Sequence, residues 1–142
     1  MKNTRFMVAA AFALLVLLTS AFAQTGAIRV TVPFDFTVGK QTLTAGEYRV
    51  TINGTSLLNV ARIDGPGVAI VSTNYTGGGP NQNLSPRLIF HSYGNRHVLS
   101  EAWIGEVNMG HELFASSLEL EYARTTKQEQ TIVLASRMPG KK

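Results

Sequence analysis

Cysteine is absent from all 142 residues. Disulfides are therefore excluded, as are thiol catalysis and the acylated cysteine that anchors a bacterial lipoprotein. No Gly-x-Ser-x-Gly string occurs, which removes the strand-to-helix nucleophile elbow. Gly77-Gly78-Gly79 is not followed by Lys-Ser or Lys-Thr, so it reads as a flexible connection rather than a phosphate cradle. Charge is sparse, at 15% of residues, and its basic excess sits at the two ends. Lys2 and Arg5 lie in an N-terminal leader, and Lys141 and Lys142 end the chain, which gives no support to a nucleic-acid partner.

What is present begins with that leader. Two basic residues precede an apolar run from Phe6 to Leu18, and Ala21-Phe22-Ala23 places small residues three apart before Gln24. This order describes a secretory signal peptide over residues 1–23, with cleavage expected after Ala23; an uncleaved membrane anchor is the alternative. The mature chain, 24–142, is expected to be a single domain, exported to the periplasm or beyond, with no membrane span left after cleavage.

Its organising stretch is Ile28 to Val38. Ile28, Val30, Val32, Phe34, Phe36 and Val38 fall on one side of a strand, and Arg29, Thr31, Asp35 and Thr37 on the other. Gly39-Lys40-Gln41 reads as a turn, and Leu43 to Gly46 as a bend before a strand that places Tyr48, Val50 and Ile52 together. Asn53-Gly54 predicts a type I′ hairpin leading into Ser56–Ile63. Val68 to Tyr75 is a further strand, and Thr76 to Pro86, with little to bury, is expected to be the longest mobile loop.

Arg87–Tyr93 and His97–Ile104 predict a second hairpin around Gly94-Asn95-Arg96. With three residues in that loop, Leu88, Phe90, Ser92, Val98, Ser100, Ala102 and Ile104 form a core face. Ile89, His91, Tyr93, His97, Leu99, Glu101 and Trp103 then form the opposite, amphipathic face. Gly105 to Ala115 is irregular in pattern. Ser116-Ser117-Leu118-Glu119 has the form of a capping box that opens a helix over Ser117–Thr125, although Leu118 to Tyr122 also alternates like a strand. Thr131–Arg137 is a final strand. The outline is all-β: an antiparallel β-sandwich or small β-barrel of about seven strands with one short C-terminal helix.

Val32-Pro33-Phe34-Asp35-Phe36-Thr37-Val38-Gly39, followed by Leu43-Thr44-Ala45-Gly46-Glu47-Tyr48-Arg49-Val50, resembles a family of small uncharacterised bacterial secreted proteins. Their hallmark is VPFxFxVG, then LPAGxYxV. Leu88 to Arg96, Leu99 to Trp103 and Glu112 to Glu119 extend the likeness over most of the mature chain. Thr44 stands where the family has proline, which leaves the bend less rigid. The resemblance implies export and one β-rich domain, and it brings no activity.

Chemistry-bearing residues are few. On the three-residue loop, His91, His97 and Glu101 share a face, an arrangement open to a metal or a general-base pair, but the spacing matches no ligand motif. No catalytic residue, metal or cofactor is assigned. Asp35 and Glu47 occupy the outward phase of their strands, where a solvated charge is the ordinary explanation. His91, Tyr93, His97, Glu101 and Trp103 are the candidate binding residues. Their rings would form a ledge for a sugar, a peptidoglycan fragment or a protein partner, unless the helix from Ser117 covers them. The expected role is that of a secreted, non-enzymatic binding or cell-envelope component. The alternatives are a barrel-shaped carrier of a small apolar ligand and a hydrolase that uses acidic residues and a histidine. Phe36→Ala is expected to be costly and His91→Ala nearly free.

Overall fold

The computed structural model describes residues 26–77, 85–104 and 109–138. Among these residues it is all-β, with eleven strands and one helix: β1 Ala27–Val32, β2 Phe36–Val38, β3 Gln41–Leu43, β4 Gly46–Asn53, β5 Leu57–Arg62, β6 Val68–Gly77, β7 Arg87–Tyr93, β8 Arg96–Trp103, β9 Met109–Leu113, α1 Ser117–Thr125, β10 Glu129–Leu134 and β11 Ser136–Arg137. All strands join one sheet, in the order β10-β7-β8-β9-β6-β5-β4-β1-β11, with the β2–β3 hairpin attached to β8. The two ends of that path, β10 and β11, are separated only by Ala135. One continuous segment thus pairs with β7 in its first half and with β1 in its second, and the sheet folds over on itself.

β6 makes the same switch at the other edge. Its residues Val68–Ser72 pair with β5, and Thr73–Gly77 pair with β9. Two half-sheets face each other, and the even-numbered residues from Ile28 fill the space between them. Ile28, Val30, Val32, Phe36 and Val38 are buried and Phe34 is partly so. Phe36 packs edge-on against Tyr48 from one half, with ring centroids 5.2 Å apart, and against Phe90 from the other, at 5.4 Å. The centre that a carrier would keep hollow is packed by these rings.

The expected single strand from Ile28 to Val38 is two strands. Pro33 has no N–H to give a ladder, and the chain crosses there from β1, paired with β4, to β2, paired with β3 and β8. The bend at Thr44 is held without proline. Thr44 Oγ1 accepts from Arg62 Nη1 at 2.5 Å, its carbonyl accepts from the Tyr48 hydroxyl at 2.5 Å, and Asp35 Oδ1 accepts the Ala45 N–H at 2.9 Å. Asp35 is therefore a tie between two bends as well as a solvated charge. Asp64, hydrogen-bonded to the Arg62 guanidinium, raises the pKa of that arginine further above its ordinary value.

Two turns differ from expectation. The Asn53 hairpin forms, but its connection is Gly54-Thr55-Ser56, and only Gly54 takes a positive φ, of 65°; a type I′ turn needs two such residues. The second hairpin closes through Gly94-Asn95 alone, so Tyr93 faces Arg96 rather than His97. Residues 109–113, expected to be irregular, form β9, while residues 78–84 of the expected long loop lie outside the described residues. The helix has its expected bounds, with Ser116 Oγ accepting the Glu119 N–H at 3.2 Å.

Candidate functional site

The β7–β8 ladder slips between Ile89 and Phe90. Ile89 faces Glu101, whereas Phe90 faces Leu99, which leaves Ser100 as the extra residue of a β-bulge. Alternation counted straight along β8 therefore fails at this point. Leu99 joins the core, and His97 turns inward with it: its ring stacks on Phe34 at 3.8 Å and its Nδ1 lies 2.8 Å from Ser92 Oγ. Val98 and Ser100 leave the core face. The expectation that His91, His97 and Glu101 share a face is thus corrected: His97 lies on the opposite face from His91. Burial lowers the pKa of His97.

On the outer face, beneath α1, His91 is held from both ring nitrogens. Nδ1 lies 2.7 Å from Glu119 Oε1, and Nε2 lies 3.1 Å from Ser100 Oγ. A carboxylate can only accept, so Nδ1 carries a proton and, in the neutral ring, Nε2 accepts from the Ser100 hydroxyl. Glu119 Oε1 also lies 3.1 Å from the Tyr93 hydroxyl, which has Gln128 Oε1 as a second acceptor at 3.1 Å. Burial first, then the adjacent carboxylate, pushes the Tyr93 phenol up to about 12. In a capping box the glutamate would turn back to its own helix; here its carboxylate turns down onto the sheet. Glu119 is the buried residue of α1, so the helix is seated through a charged group rather than an apolar stripe.

The aromatic ledge is covered. Tyr93 is 3% exposed and Trp103 is 7% exposed, so neither offers an open ring face. Tyr122 of α1 lies 6.1 Å from the Tyr93 ring, and the Arg96 guanidinium sits 4.4 Å over Tyr122. Trp103 donates from Nε1 to Glu101 Oε2 at 2.9 Å and carries the Arg87 guanidinium 4.6 Å over its ring. Of the five candidate residues, His91 and Tyr93 meet through Glu119, Glu101 and Trp103 form a separate pair, and His97 belongs to the interior.

A second feature lies where β6 changes partners. A surface groove of about 610 Å³ is lined by the Val38–Gln41 turn, by Ala69–Ser72 and by Leu113–Ser116. Ile70 and Phe114 beside it are 59% and 61% exposed. His111, near this end, is buried with Nδ1 3.3 Å from Thr73 Oγ1, and burial lowers its pKa. Among the described residues no three His, Asp or Glu side chains converge to hold a metal ion.

Sequence reasoning missed Ser100 and Glu119. Straight alternation from a three-residue turn puts Ser100 in the core, because neither the shorter turn nor the compensating bulge has a signature in an alternating pattern. The capping-box pattern gives Glu119 its position in the helix but not its reach to the sheet. Comparison with protein-family models, with curated proteins and with solved structures returns no match to this chain.

Proposed function

We propose that this protein is an exported binding component of the cell envelope, and that it takes an extended polypeptide segment of a partner protein at the groove between β3 and β6. One observation carries the reading: the groove runs along a strand edge that, among the described residues, pairs with no other strand. The Val68–Ser72 half of β6 is bonded only through β5, and its Ala69–Ser72 residues line the groove opposite the turn between β2 and β3.

Alternate residues of an antiparallel strand aim their N–H and C=O groups at opposite edges. The Thr73 N–H goes to Ser56 O, on the β5 side, so Ile70 and Ser72 aim theirs at the groove. An edge of this kind recruits an added strand, with main-chain hydrogen bonds for affinity and flanking side chains for selectivity. Five extended residues span about 17 Å, the reach of the Val68–Ser72 edge. A polypeptide is favoured over a sugar because Tyr93 and Trp103 are buried, whereas Ile70 and Phe114 are not.

Export rests on the order of charges, apolar run and small residues from Met1 to Ala23, and the mature product should begin at Gln24 in a periplasmic or culture fraction. Binding is tested by panning the mature protein against a displayed library of random peptides. Captured sequences should alternate apolar residues and lose binding to Ile70→Lys and Phe114→Lys variants. Capture that is indifferent to both substitutions, or no capture, overturns the reading.

A further inference from the structure

We infer that Ser100 is an activated nucleophile able to take an acyl group, with His91 as its base and Glu119 as the residue that orients His91. This goes beyond binding at the groove, with which it shares no residue. The carrying geometry is an ordered chain of hydrogen bonds: Ser100 Oγ to His91 Nε2 at 3.1 Å, then His91 Nδ1 to Glu119 Oε1 at 2.7 Å. Nucleophile, base and orienting carboxylate stand in the sequence that hydroxyl activation requires, with the imidazole tautomer fixed by the acid.

Two further features fit. Ser100 occupies the bulge of β8, the kind of irregularity found beside reactive centres; the register set by the two-residue turn places it on the His91 face, and the bulge keeps Glu101 on that face beside it. The His91 side chain keeps 27% of its surface open while Glu119 beside it is nearly closed, so a reagent reaches the pair over the imidazole. Ser100 itself is 6% exposed, which restricts entry to a small group. Val98, which faces His91 across the ladder, and the neighbouring Ile89 are apolar, and Glu101 follows Ser100 directly. A neutral, small-acyl ester fits these surroundings; an anionic acyl group does not.

The step balances with water as co-reactant. Ser100 Oγ bonds to the ester carbonyl carbon while its proton passes to His91 Nε2 and the carbonyl π pair moves to oxygen. As the carbonyl re-forms, the bond to the leaving alkoxide breaks, and His91 returns the proton to it as an alcohol. Water, deprotonated by the same nitrogen, then attacks acyl-Ser100; the acid is released and the serine regains its proton.

The test uses a fluorophosphonate probe and p-nitrophenyl acetate on the mature protein, read by intact mass and peptide mapping. The folded wild type should carry one probe adduct, on Ser100, which guanidinium-unfolded protein does not acquire. Ser100→Ala should stay folded, with a cooperative melt and the wild-type circular dichroism, and lose the adduct. His91→Gln should slow labelling at least a hundredfold and Glu119→Gln at least tenfold, and p-nitrophenol should appear as a burst. No adduct on Ser100 in the folded wild type overturns the inference without recourse to any variant. Labelling of a folded His91→Gln protein at the wild-type rate also overturns it, since Ser100 would then react without a base.

Discussion

Gly110 on β9 faces the indole of Trp103 on β8 so closely that a Cβ at position 110 would lie 2.6 Å from Cε2 of the ring. The ring cannot swing aside, because Glu101 holds its Nε1 and Arg87 lies over its face. Gly110→Ala should therefore cost about 1–3 kcal/mol by overpacking. Trp103 is the sole tryptophan, so its fluorescence reports the site directly. The variant should melt lower and emit further to the red, and an unchanged melt and spectrum would mean that the indole is not held as described.

Phe36 and Phe34 lie on the same alternating stretch and should separate clearly. Phe36 is 1% exposed and touches rings from both half-sheets, so Phe36→Ala should cost about 3–5 kcal/mol through the cavity it leaves. Phe34 follows the Pro33 corner and is only partly buried, against Phe90 and His97. Phe34→Ala should cost less than half as much in denaturant titrations. Equal losses would mean that the corner is as tightly packed as the centre.

The fold was legible in the sequence wherever one face of a strand is oily and the other is not. Ile28 to Val38, Tyr48 to Ile52 and the Ser116 cap all declare themselves, because burial and capping act on local pattern. β9 did not, since Gly110, His111 and Glu112 hide its period: the glycine makes room for Trp103, and the histidine is buried beside a threonine. The outer site was half legible. His91 and Tyr93 stand out as polar positions on the outer face of β7, but their partners depend on the length of a hairpin turn and on a glutamate that lies 28 positions from His91. Neither partner is fixed by local preference; both are set by how the chain returns over its own sheet.

His91→Ala, which sequence alone rates as nearly free, should instead cost about 1–3 kcal/mol. Glu119 is buried under α1, and removing the imidazole takes away its closest hydrogen-bond partner. Helical circular dichroism should fall along with the midpoint of denaturation. A loss under about 0.5 kcal/mol, the range of an ordinary surface change, would show that α1 is seated by other contacts.

Alkaline stability should decline from pH 10 upward. The Tyr93 phenol is pushed up to about 12 in the fold, by burial and then by Glu119, against an ordinary value of 10.0. Between those values the unfolded chain gives up the proton and the native state keeps it, so rising pH favours unfolding. Tyr93→Phe should flatten this limb relative to the wild type in melts taken from pH 9 to 11.5. Parallel curves would place the alkaline loss elsewhere.

The acid limb should begin near pH 6.5 and carry the opposite sign. His97, stacked on Phe34, and His111, beside Thr73 and Tyr75, both have pKa values lowered by burial from the ordinary 6.5. Below that pH the unfolded histidines take up protons before the native ones do, so stability falls as pH falls through the window between the two values. A His97→Asn, His111→Asn double variant should be less stable at pH 8 but lose stability more slowly than the wild type between pH 6.5 and 5. If the double variant keeps the wild-type slope, carboxylate protonation rather than these two imidazoles sets the acid limit.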